Sequence, residues 1–167
     1  MRSKVLIFLL ILTSLDSFSQ APVLAVNRID KRTNEHIRQS SMYLFKDGGN
    51  VVKLNFSVRA VDDLSTLLLN VPIATTIKKR TEITLIMEDD KPMKLISNND
   101  VISINDTDVN KKMIICDLDP TIEIKNLIRQ GVKSISIPTS NKGVLKVTLL
   151  TKDRGMIRSG LMLVQKK

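Results

Sequence analysis

Residues 82–96 read EITLIMEDDKPMKLI, the clearest strand–turn–strand pattern in the chain. Ile83, Leu85 and Met87 recur at every second position, which places them on one face of an extended strand. The run Glu88-Asp89-Asp90-Lys91 breaks that alternation, and Pro92 has no amide hydrogen to give to a sheet ladder. Met93, Leu95 and Ile96 then resume an apolar stretch. A chain built around such a hairpin needs an antiparallel sheet with one face covered.

The flanking sequence supplies that sheet. Val23, Leu24, Val26 and Ile29 suit a first short strand, and residues 30–41 are polar. Residues 42–45 read as a strand leading into Lys46-Asp47-Gly48-Gly49-Asn50, a run rich in residues that accept positive φ. Val52, Leu54, Phe56 and Val58 alternate with Lys53, Asn55, Ser57 and Arg59, the pattern of a strand with one wet face. Asp62-Asp63 marks a turn, and residues 64–71 form either a strand or a short buried helix that Pro72 ends. Residues 73–77 suit a connector or edge strand, and Lys78 to Thr81 the turn into the central hairpin. Residues 97–100 read as a further turn, with strands at 101–104 and 112–118 around a loop at 105–110.

Asp119-Pro120 is the best helix start in the chain, an N-cap followed by a first-turn proline. Ile124, Leu127 and Ile128 follow at helical spacing, with Arg129 in the last turn and Gly131 beyond it, so a helix is expected over 120–130 with its stripe on the sheet. Residues 132–138 and 144–150 make a second hairpin with Ile135, Ile137, Leu145, Val147 and Leu149 inward. Residues 154–167 stay open between a terminal helix and a final strand at 161–165. Ile157, Leu161 and Val164 favour the helix, while Gly155 and Gly160 each cost it about 1 kcal/mol relative to alanine.

The N-terminus has a different character. Arg2 and Lys4 precede an apolar run over 5–12, far short of the about 20 residues that span a bilayer, and small Ser17 and Ser19 follow two apart. This is the pattern of a cleavable signal peptide over 1–19, leaving one domain over 20–167 and no membrane span. Cleavage removes two bases and one acid from a chain of formal charge +9, leaving +8. Such a balance attracts polyanions, whether anionic lipid headgroups, acidic envelope glycans or nucleic acid. The bases are scattered, however, and Lys78-Lys79-Arg80 has no interleaved aromatic residue, which argues against nucleic acid. The single cysteine, Cys116, lies within Met113-Ile114-Ile115-Cys116 and reads as a small buried hydrophobe; export has not been used to build a disulfide framework.

Chemical constellations are sparse. His36, the only histidine, has no clustered partner, and nothing local orients Ser40 or Ser41 toward it. Asp106, Asp108 and Asn110, with Asp117 at the twelfth position, begin like a calcium loop, but Lys111 stands where glycine would make the sharp turn; an ordinary acidic turn is the alternative. Glu88, Asp89 and Asp90 are three adjacent carboxylates on a hairpin tip, where they point apart and stay solvated. Asn55-Phe56-Ser57 and Asn105-Asp106-Thr107 match the short N-glycosylation pattern. The cysteine and histidine inventory excludes zinc sites of that type, and no phosphate-cradling glycine motif or nucleophile elbow is present. No catalytic, cofactor-binding or metal residue is assigned.

Phe18-Ser19-Gln20, Asp30-Lys31-Arg32-Thr33, the strand Lys79-Arg80-Thr81-Glu82-Ile83-Thr84-Leu85 and the helix-to-strand passage over 124–137 together resemble small uncharacterised exported β-rich proteins of Gram-negative bacteria. The resemblance implies a periplasmic or secreted, mostly β domain and transfers no active-site residue. The expected fold is α+β, a mostly β antiparallel sandwich or curved sheet with one helix packed on it. An outer-membrane barrel is disfavoured by the absence of aromatic girdles, the short strands and the basic Lys166-Lys167 end. The expected function is a non-enzymatic binding or interaction module for an envelope protein or an anionic glycan or lipid surface. The alternatives are a hydrolase using dispersed carboxylates or His36, and a periplasmic enzyme inhibitor presenting the acidic hairpin tip.

Overall fold

The computed structural model describes residues 21–45, 54–71, 76–102, 113–140 and 143–165. The expected signal peptide, the 46–50 loop, Pro72, the calcium candidates Asp106, Asp108 and Asn110, and Lys166-Lys167 lie outside those residues.

The central hairpin forms as its sequence dictates. β7 (Glu82–Met87) pairs antiparallel with β8 (Pro92–Ile96), with Leu85 opposite Met93 and Ile83 opposite Leu95. All four side chains are buried, along with Met87. The turn closes through the Met87 amide donating to the Lys91 carbonyl, with Asp90 at φ 63°, a left-handed conformation that aspartate tolerates. Pro92 begins β8 at the edge of its sheet, where a missing donor costs least. This sheet runs β12-β11-β7-β8, and the second expected hairpin supplies β11 (Val132–Thr139) and β12 (Gly143–Thr148). Ile135, Ile137, Val147 and Leu149 are buried as expected, and Leu145 is half-buried.

The other large sheet runs β1-β2-β4-β5-β10, with β3 beside β4. Its members are β1 (Leu24–Ile29), β2 (His36–Ser40), β3 (Tyr43–Phe45), β4 (Leu54–Val61), β5 (Leu64–Asn70) and β10 (Met113–Leu118). Residues 64–70 thus resolve as a strand, joined to β4 by the Asp62-Asp63 turn. β2 was hidden in the polar stretch. It pairs with β4 at Ile37–Val61, and β3 pairs with β4 farther along at Tyr43–Phe56, so the two share one side of β4. At the gap between them a side chain replaces the ladder: Ser40 Oγ accepts the Val58 amide at 3.0 Å and Ser57 Oγ donates to the Ser40 carbonyl at 2.9 Å. That bond explains why Ser57, expected on the wet face, is fully buried. A two-strand ribbon, β6 (Thr76–Ile77) with β9 (Val101–Ile102), completes the strands described.

The inner faces of both large sheets share one core in which Phe45 and Phe56 stack at 4.8 Å between ring centroids and Tyr43 packs on both. Neither sheet closes into a barrel among the described residues. The tail resolves as a helix, α2 (Met156–Gln165), packed on β4 and β2 with Ile157, Leu161 and Val164 buried. Gly160 is what lets it approach: a Cβ there would lie 3.1 Å from Val58 Cγ2. The helix expected over 120–130 is shorter, α1 (Glu123–Arg129), after a turn that Asp119 organises by accepting the Thr121 and Ile122 amides. Ile124 and Leu127 enter the core, while Ile122 stays exposed and α1 packs mainly against α2. A buried bond from Tyr43 Oη to Asp153 Oδ1, 2.8 Å long, ties the segment before α2 to β3.

Candidate functional site

The β1–β2 hairpin and the β4–β5 turn project from the same end of the larger sheet, because β2 and β4 run antiparallel with His36 beside Asp62. The pairing is reciprocal: the His36 amide donates to Asp62 Oδ1 at 2.9 Å and the Asp62 amide to the His36 carbonyl at 3.0 Å. Asp62 adopts φ 51°, which turns its carboxylate back onto the neighbouring strand. Arg38, one residue farther along the inner side of β2, is almost fully buried and donates from Nη2 to the Asp62 carbonyl at 2.9 Å.

Three open concavities mark this end. One of about 500 Å³ is lined by Arg28, Ile29, Asp30, Lys31 and Arg32, and one of about 530 Å³ by His36, Arg38, Asp62 and Asp63. A smaller recess of about 210 Å³ adjoins Arg38, Ser65 and Gln165, the last residue of α2. In the first concavity the sole acid is already engaged. Asp30 Oδ1 accepts the Arg32 amide at 2.8 Å and the Thr33 amide at 3.4 Å, forming the turn that Asn34 completes at φ 61°. Those two amides, with the nearby Arg28 charge, hold the Asp30 carboxyl below its ordinary value of 3.8. Among the described residues Arg28, Lys31 and Arg32 form no ion pair, and Ile29 between them is 60% exposed. The result is a cationic tip with an apolar centre.

His36 does not meet the other sequence candidates. Its Nε2 lies 2.6 Å from Asn27 Oδ1 across the hairpin, and the Asp62 carboxylate faces the His36 backbone amide. Ser40 Oγ donates to the Ser41 carbonyl and accepts from Val58, so it is part of the sheet. The three hairpin-tip carboxylates separate as their sequence suggests. Glu88 accepts the Gly131 amide at 3.1 Å, Asp89 pairs with Lys91 at 3.2 Å, and Asp90 pairs with Lys133. Asp117, the one calcium candidate described, spends its oxygens on Thr66 of β5 and Asn98. Among the described residues no group of three His, Cys, Asp or Glu is arranged to hold a metal. Cys116 is fully buried; burial first, then the charges of Glu123 and Asp117, pushes its thiol up to about 12.

The cationic tip was missed in the sequence because Arg28, Lys31 and Arg32 are not contiguous and Asp30 lies among them. The denser Lys78-Lys79-Arg80 run forms the turn before β7, with the Lys79 amide held by Asp100 at 2.7 Å. No family model matches the chain, and no curated protein or solved structure is similar to it. Among the described residues no helix is long and apolar enough to cross a membrane.

Proposed function

We propose that this chain is an exported, non-enzymatic binding module that meets an anionic partner in the bacterial envelope or outside the cell. One observation carries the reading: the β1–β2 tip gathers Arg28, Lys31 and Arg32 around an open concavity whose only carboxylate is occupied by the turn's own amides. Three cations that form no ion pair among the described residues can exchange water for a partner's anions, and the overall positive charge steers such a partner inward. The leader over 1–19 supports export.

The test is salt-dependent binding of the purified protein to dextran sulfate and to vesicles containing phosphatidylglycerol. Near an anionic surface each Lys or Arg contributes about 1 kcal/mol, so reversing Arg28, Lys31 and Arg32 to glutamate should weaken binding roughly a hundredfold or more. The same reversal at Lys78, Lys79 and Arg80 should do much less. Equal losses from the two triple variants would show that net charge alone drives binding and would remove the tip from the account.

A further inference from the structure

An open sheet edge offers its outward amides and carbonyls to a strand from another chain, and proteins usually obstruct such edges. The two large sheets end in β1, β10, β8 and β12, and the three-residue β3 pairs only with β4. β8 begins with Pro92, which removes a donor. β10 is sealed by two asparagines. Asn99 donates from its side-chain amide to the Met113 carbonyl at 2.8 Å and accepts the Ile115 amide at 3.0 Å, while the Asn98 amide donates to the Ile115 carbonyl at 2.7 Å. β12 is open among the described residues but carries one cation, Lys146. β1 is open among the described residues and runs directly into the tip that carries Lys31 and Arg32, with Arg28 on the strand itself.

The hydrogen-bond phase of β1 can be read from its turn. The Asp30 amide donates to the Glu35 carbonyl at 2.8 Å, and bonding alternates along an antiparallel pair, so Arg28 and Val26 direct their backbone groups at β2. Asn27 and Ile29 therefore direct theirs away from the sheet. A register shift between Leu24 and Val26 confines the regular edge to residues 26–29. The edge is short, so charge must supplement its few main-chain bonds, and the adjoining cations define the sign of that charge.

We infer that the outer edge of β1 accepts an extended, acidic segment of another protein as an added strand. Asn27 and Ile29 supply the main-chain hydrogen bonds, and Arg28, Lys31 and Arg32 meet its carboxylates. The inference rests on the reading of the tip as a surface for anions and adds the class of partner. A lipid surface or a glycan would satisfy the three cations but would leave the outward backbone groups unpaired and the exposed Ile29 side chain with His36 of β2 as its one cross-strand neighbour. An acidic strand satisfies both.

The experiment titrates the full protein with a blocked peptide of alternating glutamate and valine, and in parallel with phosphatidylglycerol vesicles and dextran sulfate. The peptide is expected to slow amide hydrogen exchange at Asn27 and Ile29 by about tenfold or more, the protection an added strand confers. Asn27→Pro removes one outward donor and should abolish peptide binding, whereas Asn27→Ala keeps the amide, loses only the His36 contact, and should bind as the native protein does. Peptide binding that leaves both amides unprotected and survives Asn27→Pro would overturn strand addition while the cationic-tip reading stood. So would salt-sensitive binding of the vesicles or dextran sulfate alone. Failure of all three probes to bind, or binding unchanged when Arg28, Lys31 and Arg32 are reversed, would overturn both.

Discussion

At the scale of single residues, the polar side chains that look most reactive in the sequence turn out to be structural. Ser40 is the clearest case: it is buried, and its hydroxyl oxygen satisfies the Val58 amide where the β2–β4 ladder is interrupted. Removing it strands a buried donor, which costs about 1–3 kcal/mol. Ser40→Ala should therefore lower the urea midpoint by that equivalent while leaving binding to dextran sulfate unchanged; a stability equal to the native protein's would show that Val58 finds another acceptor. Arg38 follows the same logic. It was invisible as a core residue because arginine is seldom buried, and its bond to the Asp62 carbonyl helps to make its position tenable.

At the scale of elements, two helices differ in how far their sequences specified them. Asp119-Pro120 marked a start, and the turn forms there, but the helix proper begins at Glu123. The two acids of that turn titrate in opposite senses. Asp119 is held below its ordinary 3.8 by the Thr121 hydroxyl and then by the Thr121 and Ile122 amides, while burial raises Glu123 above its ordinary 4.5 against the opposing Asp119 amide. A depressed folded pKa gives stability that is present above the unfolded value and lost as the pH falls through the folded one. The raised one gives a penalty at neutral pH that protonation relieves. The stability gap between the native protein and Asp119→Ala should be full at neutral pH and close as the pH falls below 3.8, measured by urea titration across pH; a gap independent of pH would mean that the carboxylate does not hold the turn. α2 presents a different balance. Gly160 sits against Val58 and Phe56, both fully buried, and a Cβ would fall 3.1 Å from the first. Alanine would gain about 1 kcal/mol of helix propensity, but crowding a packed core typically costs about 1–3 kcal/mol. Gly160→Ala should thus destabilise, read as a lowered thermal midpoint, and a raised midpoint would show that α2 can lift from β4.

At the scale of the whole molecule, the proposed leader and the domain make separate claims. If the chain is exported, the product recovered from its host should lack residues 1–19 and begin at Gln20 by mass spectrometry; an intact Met1 on the folded protein would refute export by this route. The hairpins β7–β8 and β11–β12, the β4 alternation and the buried Cys116 were legible because each depends on neighbours along the chain: period-two hydrophobicity, turn residues and local apolar runs. β2 was not legible, since its inward Arg38 and Ser40 are polar and are satisfied by Asp62 and Val58, partners at least 18 residues away. The tail became a helix for a similar reason: Gly160, a defect in an isolated helix, is the contact that lets this one dock. The sequence alone thus determined that an antiparallel β domain must form and which apolar faces it buries, because hydrophobic burial follows local pattern. The tertiary structure alone decided which charges remain available, since Asp30 is consumed by its own turn while Arg28, Lys31 and Arg32 are left at an open edge, and hydrogen-bond satisfaction is settled only when the chain is folded.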